Sequence, residues 1–185
     1  MDIKKPTLPK SPDRLGVTVK RLPQSIVDDL NKHIEAEAYS SQIYLAMSMW
    51  CEDNGYTGGA KLFKKYSEEE LTHMNKLYQY ILDRDYCPIT PALEKPANEY
   101  SDILDVIETA YKHEIGVSDS YHVTADIAMK ERCHTTYAFI HWFIKEQIEE
   151  EAKFANLIYK YNILMKTGLS GTALMEFDEI LEEYN

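Results

Sequence analysis

The sequence has few of the residues and segments on which several classes of protein depend. Its three cysteines, Cys51, Cys87 and Cys133, lie far apart and include no C-x-x-C pair. Neither a disulfide framework nor a zinc knuckle is indicated, and we expect reduced thiols. No run of about 18 apolar residues occurs, which predicts no membrane span, and the N-terminus lacks the apolar core of a secretory signal. We therefore expect a cytosolic protein without a membrane partner.

Basic residues are also in the minority, with 20 lysines and arginines against 31 aspartates and glutamates and a formal net charge of −11. An acidic chain repels phosphate groups, so nucleic acid and anionic membranes are not predicted partners. The charge is compatible with collecting cations, although many proteins are acidic for solubility alone. No phosphate loop, nucleophile triad or internal repeat occurs. The 44% hydrophobic content is sufficient for one domain whose core folds without cross-links.

Hydrophobic periodicity divides the chain into an arm, four long helices and a short fifth helix. Residues 1–22 contain three prolines and six basic residues without a hydrophobic period, which predicts a flexible or surface arm before a single domain over residues 23–185. From about Pro23, apolar residues recur at a spacing of three or four, as on one helix face. The predicted inward stripes are Leu30, Ile34, Ser41, Tyr44 and Ser48; Leu62, Tyr66, Leu77 and Ile81; Ile103, Ile107, Ala110, Val117, Tyr121, Thr124 and Ala128; and Ile140, Phe143, Phe154, Leu157, Tyr161 and Leu164.

Turn residues at 54–59 are expected to separate the first helix from the second, which is predicted over about residues 60–83. We expect the third helix to begin near Asp102 as its N-cap and the fourth to cover about residues 135–166. Gly168 and Gly171 are expected to end the fourth helix. A short amphipathic helix follows, with the stripe Leu174, Phe177, Leu181 and Tyr184, and because four helices already close a core, this stripe needs another surface.

The segment from Arg84 to Tyr100 carries Pro88, Pro91 and Pro96 and shows neither helical periodicity nor strand alternation. A helix of about 25 residues is about 38 Å long, and about 17 extended residues reach about 55 Å. The segment is therefore long enough to cross the whole bundle and to start the third helix at the opposite end. One long crossover of this kind is typical of one class of four-helix bundle.

Polar residues interrupt each of the four stripes near its middle. On the second helix they are Glu70 and His73, which point the same way because residues three apart share a helix face. The other interruptions are Glu37, Glu114, and Gln147 with Glu150. Burying carboxylates costs several kcal/mol per ion, so apolar packing does not explain four coincident breaks. They predict a metal site, and carboxylates with one imidazole and no thiolate suit iron or manganese better than structural zinc.

With these motifs in place, the chain from about residue 24 onward resembles the non-heme ferritins. The resemblance lies in Glu37-Ala38-Tyr39-Ser40-Ser41, Glu69-Glu70-Leu71-Thr72-His73-Met74 and Glu146-Gln147-Ile148-Glu149-Glu150-Glu151. It implies an all-α, ferritin-like four-helix bundle with one long crossover between helices two and three and a short fifth C-terminal helix. Bacterioferritin and rubrerythrin carry a second E-x-x-H on the fourth helix, where this chain has Gln147 and Glu150. The prokaryotic non-heme type fits best, and no heme is expected.

The resemblance also implies a di-iron centre. One iron is assigned to Glu37, Glu70 and His73. The second is assigned to Glu70, Glu114 and Glu150, so that Glu70 bridges the two ions.

Further residues are assigned by the resemblance around this centre. Gln147 matches a glutamine that contacts bound oxygen or water, and Tyr44 and Trp142 match aromatic residues that supply electrons. Taken alone, Trp142 is better explained by core packing, and Tyr44 is equally compatible with it. A third iron position, found in the prokaryotic type, corresponds to Glu69, Glu146, Glu149 and Glu150, although Glu146, Glu149 and Glu150 also read as a solvated acidic face.

Residues outside the centre carry weaker signals. Glu131, Cys133 and His134 fall near the turn between helices three and four, where the family lines a threefold pore, and a plain surface loop also explains them. The other histidines have no partner pattern and are expected at the surface or in packing: His33, His113, His122 and His141.

As a function, the resemblance implies a ferroxidase that oxidises Fe(II) with dioxygen or hydrogen peroxide and stores ferric mineral. The subunits would form a homo-oligomeric cage of twenty-four, with the arm outside and the fifth helix burying its stripe at a fourfold axis. Two alternatives stay open. One is a di-iron or di-manganese oxidase, peroxidase or catalase that stores nothing, and the other is a structural or binding bundle with a vestigial site. A vestigial site would lack ligands, and all six central positions are kept here.

Overall fold

The computed structural model describes residues 22–166 and 170–184. Within these ranges the chain forms five helices and no strand, and none of the helices is long and apolar enough to cross a membrane. They are α1 (Gln24–Asp53), α2 (Thr57–Asp83), α3 (Ile103–Lys130), α4 (His134–Met165) and α5 (Ser170–Glu183). The predicted all-α bundle of four long helices with a short fifth helix is confirmed.

The long crossover between α2 and α3 spans the bundle from end to end. At its start, the Tyr86 hydroxyl donates to the Leu22 carbonyl oxygen at 2.7 Å, beside the beginning of α1. At its other end, the Tyr100 ring meets the Trp50 ring edge-on with centroids 5.7 Å apart, beside the end of α1. The carboxylate of Asp102 then caps the first turn of α3. The predicted crossing and the predicted N-cap are both confirmed.

Gly58 and Gly59 were predicted in the turn before α2, but they lie in the first turn of α2, where they contact α5 closely. The turn is confined to residues 54–56, where Gly55 has φ of 81°, so α2 begins three residues earlier than expected. The Asp178 carboxylate of α5 accepts the backbone N–H groups of Gly58 at 3.0 Å and Gly59 at 2.9 Å. A Cβ on Gly58 would lie 2.0 Å from the Asp178 carbonyl oxygen, so α5 docks closely only on glycine.

The apolar interior divides into two clusters. The α5-end cluster contains Met47, Phe63, Ile107, Phe154 and Phe177, and the N-end cluster contains Ile26, Leu30, Leu77, Ile81 and Phe143. All residues of the four predicted stripes are buried except Tyr161 and Leu164, which are partly buried. The helical period predicts this inward face because it returns each stripe to the bundle axis. The polar interruptions lie between the two clusters.

Three expectations from the sequence need correction or limits. Leu22 is 3% exposed and belongs to the N-end cluster instead of the arm; the rest of the predicted arm lies outside the described residues. Gly171 falls in the first turn of α5 and does not end α4, while Gly168 lies outside the described residues. Phe177 and Leu181 are fully buried against the same chain. The fifth stripe therefore already has a surface within its own subunit.

Candidate metal centre

The six residues that interrupt the stripes are buried together in the middle of the bundle. Each comes from an amphipathic helix whose other inward positions are mostly apolar, so the charged groups face one another across the axis. Their exposed fractions are 2% for Glu37, 5% for Glu70, 9% for His73, 2% for Glu114, 4% for Gln147 and 5% for Glu150.

Glu37, Glu70 and His73 form the tightest group. One donor atom of each lies within 4.8 Å of the other two, and no other acidic, histidine or cysteine side chains in the described ranges form a group of three at this spacing. His73 Nδ1 is 3.1 Å from Glu70 Oε2 and 3.7 Å from Glu37 Oε2. Two carboxylates from α1 and α2 thus face one nitrogen, a mixed oxygen and nitrogen donor set that suits a divalent transition metal.

Protons balance the charge of this group. Burial lowers the pKa of His73, but hydrogen bonds and charges from Glu37 and Glu70 outweigh it and raise the pKa to about 10. Burial and the Glu37 charge raise the pKa of Glu70 well above its usual value. Burial opposes ionisation of Glu37, yet hydrogen bonds with His73 and Glu70 hold its pKa below the usual value. An incoming cation therefore takes the place of protons.

The carboxylates of α3 and α4 are held by other side chains. Glu114 accepts from the Tyr44 hydroxyl at Oε1 and from Gln147 Nε2 at Oε2, the latter at 2.7 Å. Burial raises the pKa of Glu114 to about 7, although both donors oppose the shift. Glu150 Oε1 accepts from Lys153 Nζ at 3.0 Å, and Glu150 Oε2 is buried without a hydrogen-bond partner among residues 22–166 and 170–184.

The donor chemistry of these side chains fits hard cations. The donors are carboxylate oxygens with a single imidazole, which suits iron or manganese, and no cysteine belongs to the group. A buried acceptor without a partner is costly, and the Glu150 Oε2 atom is such an acceptor. A cation between Glu70, Glu114 and Glu150 would give that oxygen a partner and offset the burial of the three carboxylates.

Tyr121 and Lys153 contact the centre but were not among the predicted site residues. The Tyr121 hydroxyl donates to Glu37 Oε1, and its ring stacks on the buried His33 ring with centroids 4.1 Å apart. Tyr121 was predicted only as part of an apolar stripe, because its position in a stripe does not reveal where its hydroxyl points. In the sequence, Lys153 was indicated only by its position three residues after Glu150, and this spacing of opposite charges is common on exposed helix faces.

The other predicted site residues lie around the centre without joining a ligand group. Glu69 and Glu146 are partly buried and Glu149 is exposed. They do not form a group of donors within 4.8 Å, so the third iron site stays a prediction. Trp142 meets the His73 ring edge-on with centroids 5.5 Å apart, and Lys76 Nζ lies 4.0 Å from the centroid of the Trp142 ring.

The remaining predicted residues are distributed as follows. His113 is partly buried and its Nε2 lies 2.7 Å from Ser40 Oγ, whereas His122 and His141 are exposed. At the α3–α4 connection, Glu131 caps α3, Cys133 precedes α4 and His134 begins it. Their predicted place at a pore is untested.

Comparison with known proteins gives consistent matches. The sequence profile of the ferritin-like domain family matches residues 27–163. A probable bacterial non-heme ferritin-like protein of Haemophilus influenzae is 34% identical over 157 residues, which are 85% of this chain and 94% of that protein. A bacterial non-heme ferritin of Escherichia coli is 33% identical over 147 residues, covering 80% of this chain and 89% of that protein.

Among solved structures, an open pore ferritin from the hyperthermophilic archaeon Archaeoglobus fulgidus superposes with a TM-score of 0.84 at 30% identity. The superposition covers 88% of this chain and 98% of that chain. The profile match covers α2, α3 and nearly all of α1 and α4, the four helices that carry the centre. The chain therefore belongs to the ferritin family.

Proposed function

We propose that this protein oxidises Fe(II) at the centre of its helix bundle and stores the ferric product inside a cage of its own copies. The observation that carries the proposal is the buried group of Glu37, Glu70 and His73, found in a chain whose relatives are named bacterial non-heme ferritins. Iron is both substrate and cargo in this reaction. The expected location is the cytosol.

In the proposal, different residues bind the two iron ions, and one residue is shared. Glu37 and His73 bind the first iron, and Glu70 bridges it to the second. Glu114 and Glu150 complete the second position. Each Fe(II) loses one electron, and the two electrons reduce dioxygen to hydrogen peroxide or hydrogen peroxide to water. Hard carboxylate oxygens favour Fe(III) over Fe(II), which assists the oxidation.

Two aromatic residues are placed to assist the reaction. Tyr44 donates to Glu114 and Trp142 packs on His73, so each touches an assigned ligand. In the proposal each supplies one further electron, which together with the two electrons of the irons reduces dioxygen to water, and the oxidised side chains are reduced again by further Fe(II). The amide N–H of Gln147 donates to the Glu114 carboxylate. The amide oxygen of Gln147 is not used in this hydrogen bond, and in the proposal it contacts water or the oxidant.

Self-assembly has support from the surface of the single chain. Many large apolar side chains are exposed, and exposed apolar surface favours contact between copies. They include Met49 at 55%, Leu82 at 52%, Val123 at 57%, Met129 at 61%, Ile148 at 66%, Tyr159 at 65% and Met175 at 73%. The number twenty-four comes from the family resemblance.

Native mass combined with iron content tests cage and storage together. Iron-free protein mixed with Fe(II) in air should oxidise it rapidly and yield a dissolved particle of twenty-four chains of 21.5 kDa each with an iron core. A compact dimer without a core after loading would contradict storage and would favour the oxidase or peroxidase alternative.

A further inference from the structure

Lys153 places a positive charge at the edge of the metal centre. It follows Glu150 by three residues on α4, and its Nζ donates to Glu150 Oε1 at 3.0 Å. The Nζ also lies 5.7 Å from the centroid of the Tyr66 ring, within the range of a cation–π contact. The Glu150 side chain is 7% exposed and that of Lys153 is 38% exposed. The ion pair therefore joins a buried carboxylate to a side chain that reaches solvent.

Several carboxylates hold this ammonium. Burial lowers the pKa of Lys153, but the hydrogen bond to Glu150 and the charges of Glu150, Glu69 and Glu149 outweigh it, so the pKa is raised. These three glutamates belong to the set that the resemblance assigns to a third iron. At neutral pH a charged ammonium already stands among them.

Lys153 also occupies one of the two oxygens that Glu150 offers to a metal. Oε1 accepts from Lys153, and Oε2 accepts no hydrogen bond from the residues that the structure describes. In the other half of the centre, the charged partner of Glu37 and Glu70 is His73, which is itself an assigned ligand. The Lys153 side chain is attached to α4 one turn from Glu150, so it stays within reach of that carboxylate and continues to compete after a cation arrives.

We propose that Lys153 determines how many cations the centre holds, by taking the place of a metal ion on Glu150. This inference rests on the proposed function. The wild-type chain binds two cations, the weaker one at the position that includes Glu150, and the third position predicted from the resemblance is closed while Lys153 is paired. Rotation of the Lys153 side chain into solvent opens it.

Calorimetric titration of the assembled, iron-free protein with Zn²⁺ tests the inference without redox chemistry. Lys153→Met keeps the length of the side chain and removes its charge. We expect the weakest class of Zn²⁺ sites to tighten at least about tenfold or to gain one ion per chain, with the tightest class unchanged. Lys153→Arg keeps the charge and should bind Zn²⁺ as the wild type does.

The matched control is Lys112→Met on α3. Lys112 forms an exposed ion pair with Glu108 at 3.6 Å, so its loss removes one charge of the same kind away from the centre. Its Zn²⁺ isotherm should match that of the wild type. If Lys153→Met does not assemble, Lys153→Gln takes its place in the comparison. This variant removes the same charge and has a shorter, polar side chain.

A second measurement locates the added ion. Tb³⁺ bound where the ammonium stands lies beside Tyr66, so Lys153→Met should gain tyrosine-sensitised Tb³⁺ emission. Adding Tyr66→Phe should remove that gain while keeping the shape of the site.

The outcomes separate this inference from the proposed function. Identical Zn²⁺ isotherms for wild type and Lys153→Met, with a tight class that Glu70→Ala abolishes, would overturn the role of Lys153 and leave the centre in place. If Glu70→Ala bound Zn²⁺ as the wild type does, both the role of Lys153 and the proposed centre would be overturned.

Discussion

The α1–α2 half of the centre and its α3–α4 half differ in what balances their buried carboxylates. In the first half, Glu37 and Glu70 face each other and His73, and the balancing charges are protons carried by these ligands. In the second half, Glu114 has a pKa of about 7 and accepts from neutral donors, and Glu150 is bound by the ammonium of Lys153, which is the only one of these partners that is a fixed charge.

The difference indicates how each half responds to a cation. Displacing a proton depends on pH, and the proton leaves for solvent. Displacing Lys153 leaves a competing charge within reach of the same oxygen. We therefore expect the first half to bind tightly and the second half to exchange its ion more readily, which suits a centre that must pass on its product.

The largest effect is expected from removing the first half. Glu70→Ala with His73→Ala deletes the proposed bridge and the only nitrogen ligand, so the initial rate of Fe(II) oxidation should fall at least about 100-fold. The tight class of Zn²⁺ sites should also disappear. His141→Ala, which removes an exposed histidine of α4, is the control. Oxidation by the double variant at the wild-type rate would show that the centre is assigned wrongly.

The pH dependence of the tight class is the next largest effect. His73 has a pKa of about 10, so at pH 7 it carries a proton that a metal must displace. Affinity should therefore fall as pH falls, by about tenfold per pH unit for each proton displaced. Calorimetry at pH 7 in two buffers of different ionisation enthalpy should report at least one proton released per first Zn²⁺. Heats that do not depend on the buffer would contradict proton displacement.

Two tyrosines allow each half to be weakened separately. Tyr121→Phe removes the donor to Glu37, and Tyr44→Phe removes the donor to Glu114. Loss of an orienting hydrogen bond should cost about tenfold in metal affinity. Tyr121→Phe should act on the tight class of Zn²⁺ sites and Tyr44→Phe on the weaker class. If both variants weaken the same class, the two halves are not independent.

The smallest effect is expected far from the centre. Asp178→Ala removes the acceptor for the Gly58 and Gly59 N–H groups and should lower the free energy of unfolding by about 1 kcal/mol and the Tm by about 2–4 °C. Zn²⁺ binding by both halves should be unchanged, because α5 packs on the α5-end cluster. Glu179→Ala, an exposed charge on the same helix, controls for charge. A change in the Zn²⁺ isotherm would mean that α5 influences the centre.

Most of the fold could be predicted because it depends on periodicity along the chain. The stripes, the proline-rich crossover and the Asp102 cap are local patterns, and each appears where the sequence indicated. Gly58 and Gly59 were misassigned because a glycine pair after a helix resembles a turn. Only the approach of Asp178 from α5, more than a hundred residues later, shows why Gly58 has no room for a Cβ.

Most residues of the site could be predicted from the sequence for a similar reason. Glu70 and His73 interrupt an apolar stripe, so their burial follows from helix geometry alone, and the same holds for Glu37 and Glu114. Tyr121 gave no such signal, because a tyrosine in a stripe is compatible with packing until its hydroxyl is located. The Glu150–Lys153 pair was visible as a spacing, but that spacing is ordinary on a solvated helix face.

The sequence by itself determined which helices form, which faces turn inward and which polar residues are buried, since these depend on the order of residues within one helix. Only the tertiary structure decided the partner of each buried group: His73 with two carboxylates, Glu37 with Tyr121, and Glu150 with Lys153 beside Tyr66. Partners of this kind depend on the rotation and offset of packed helices. Those quantities are set by side-chain packing between segments, and no single segment encodes them.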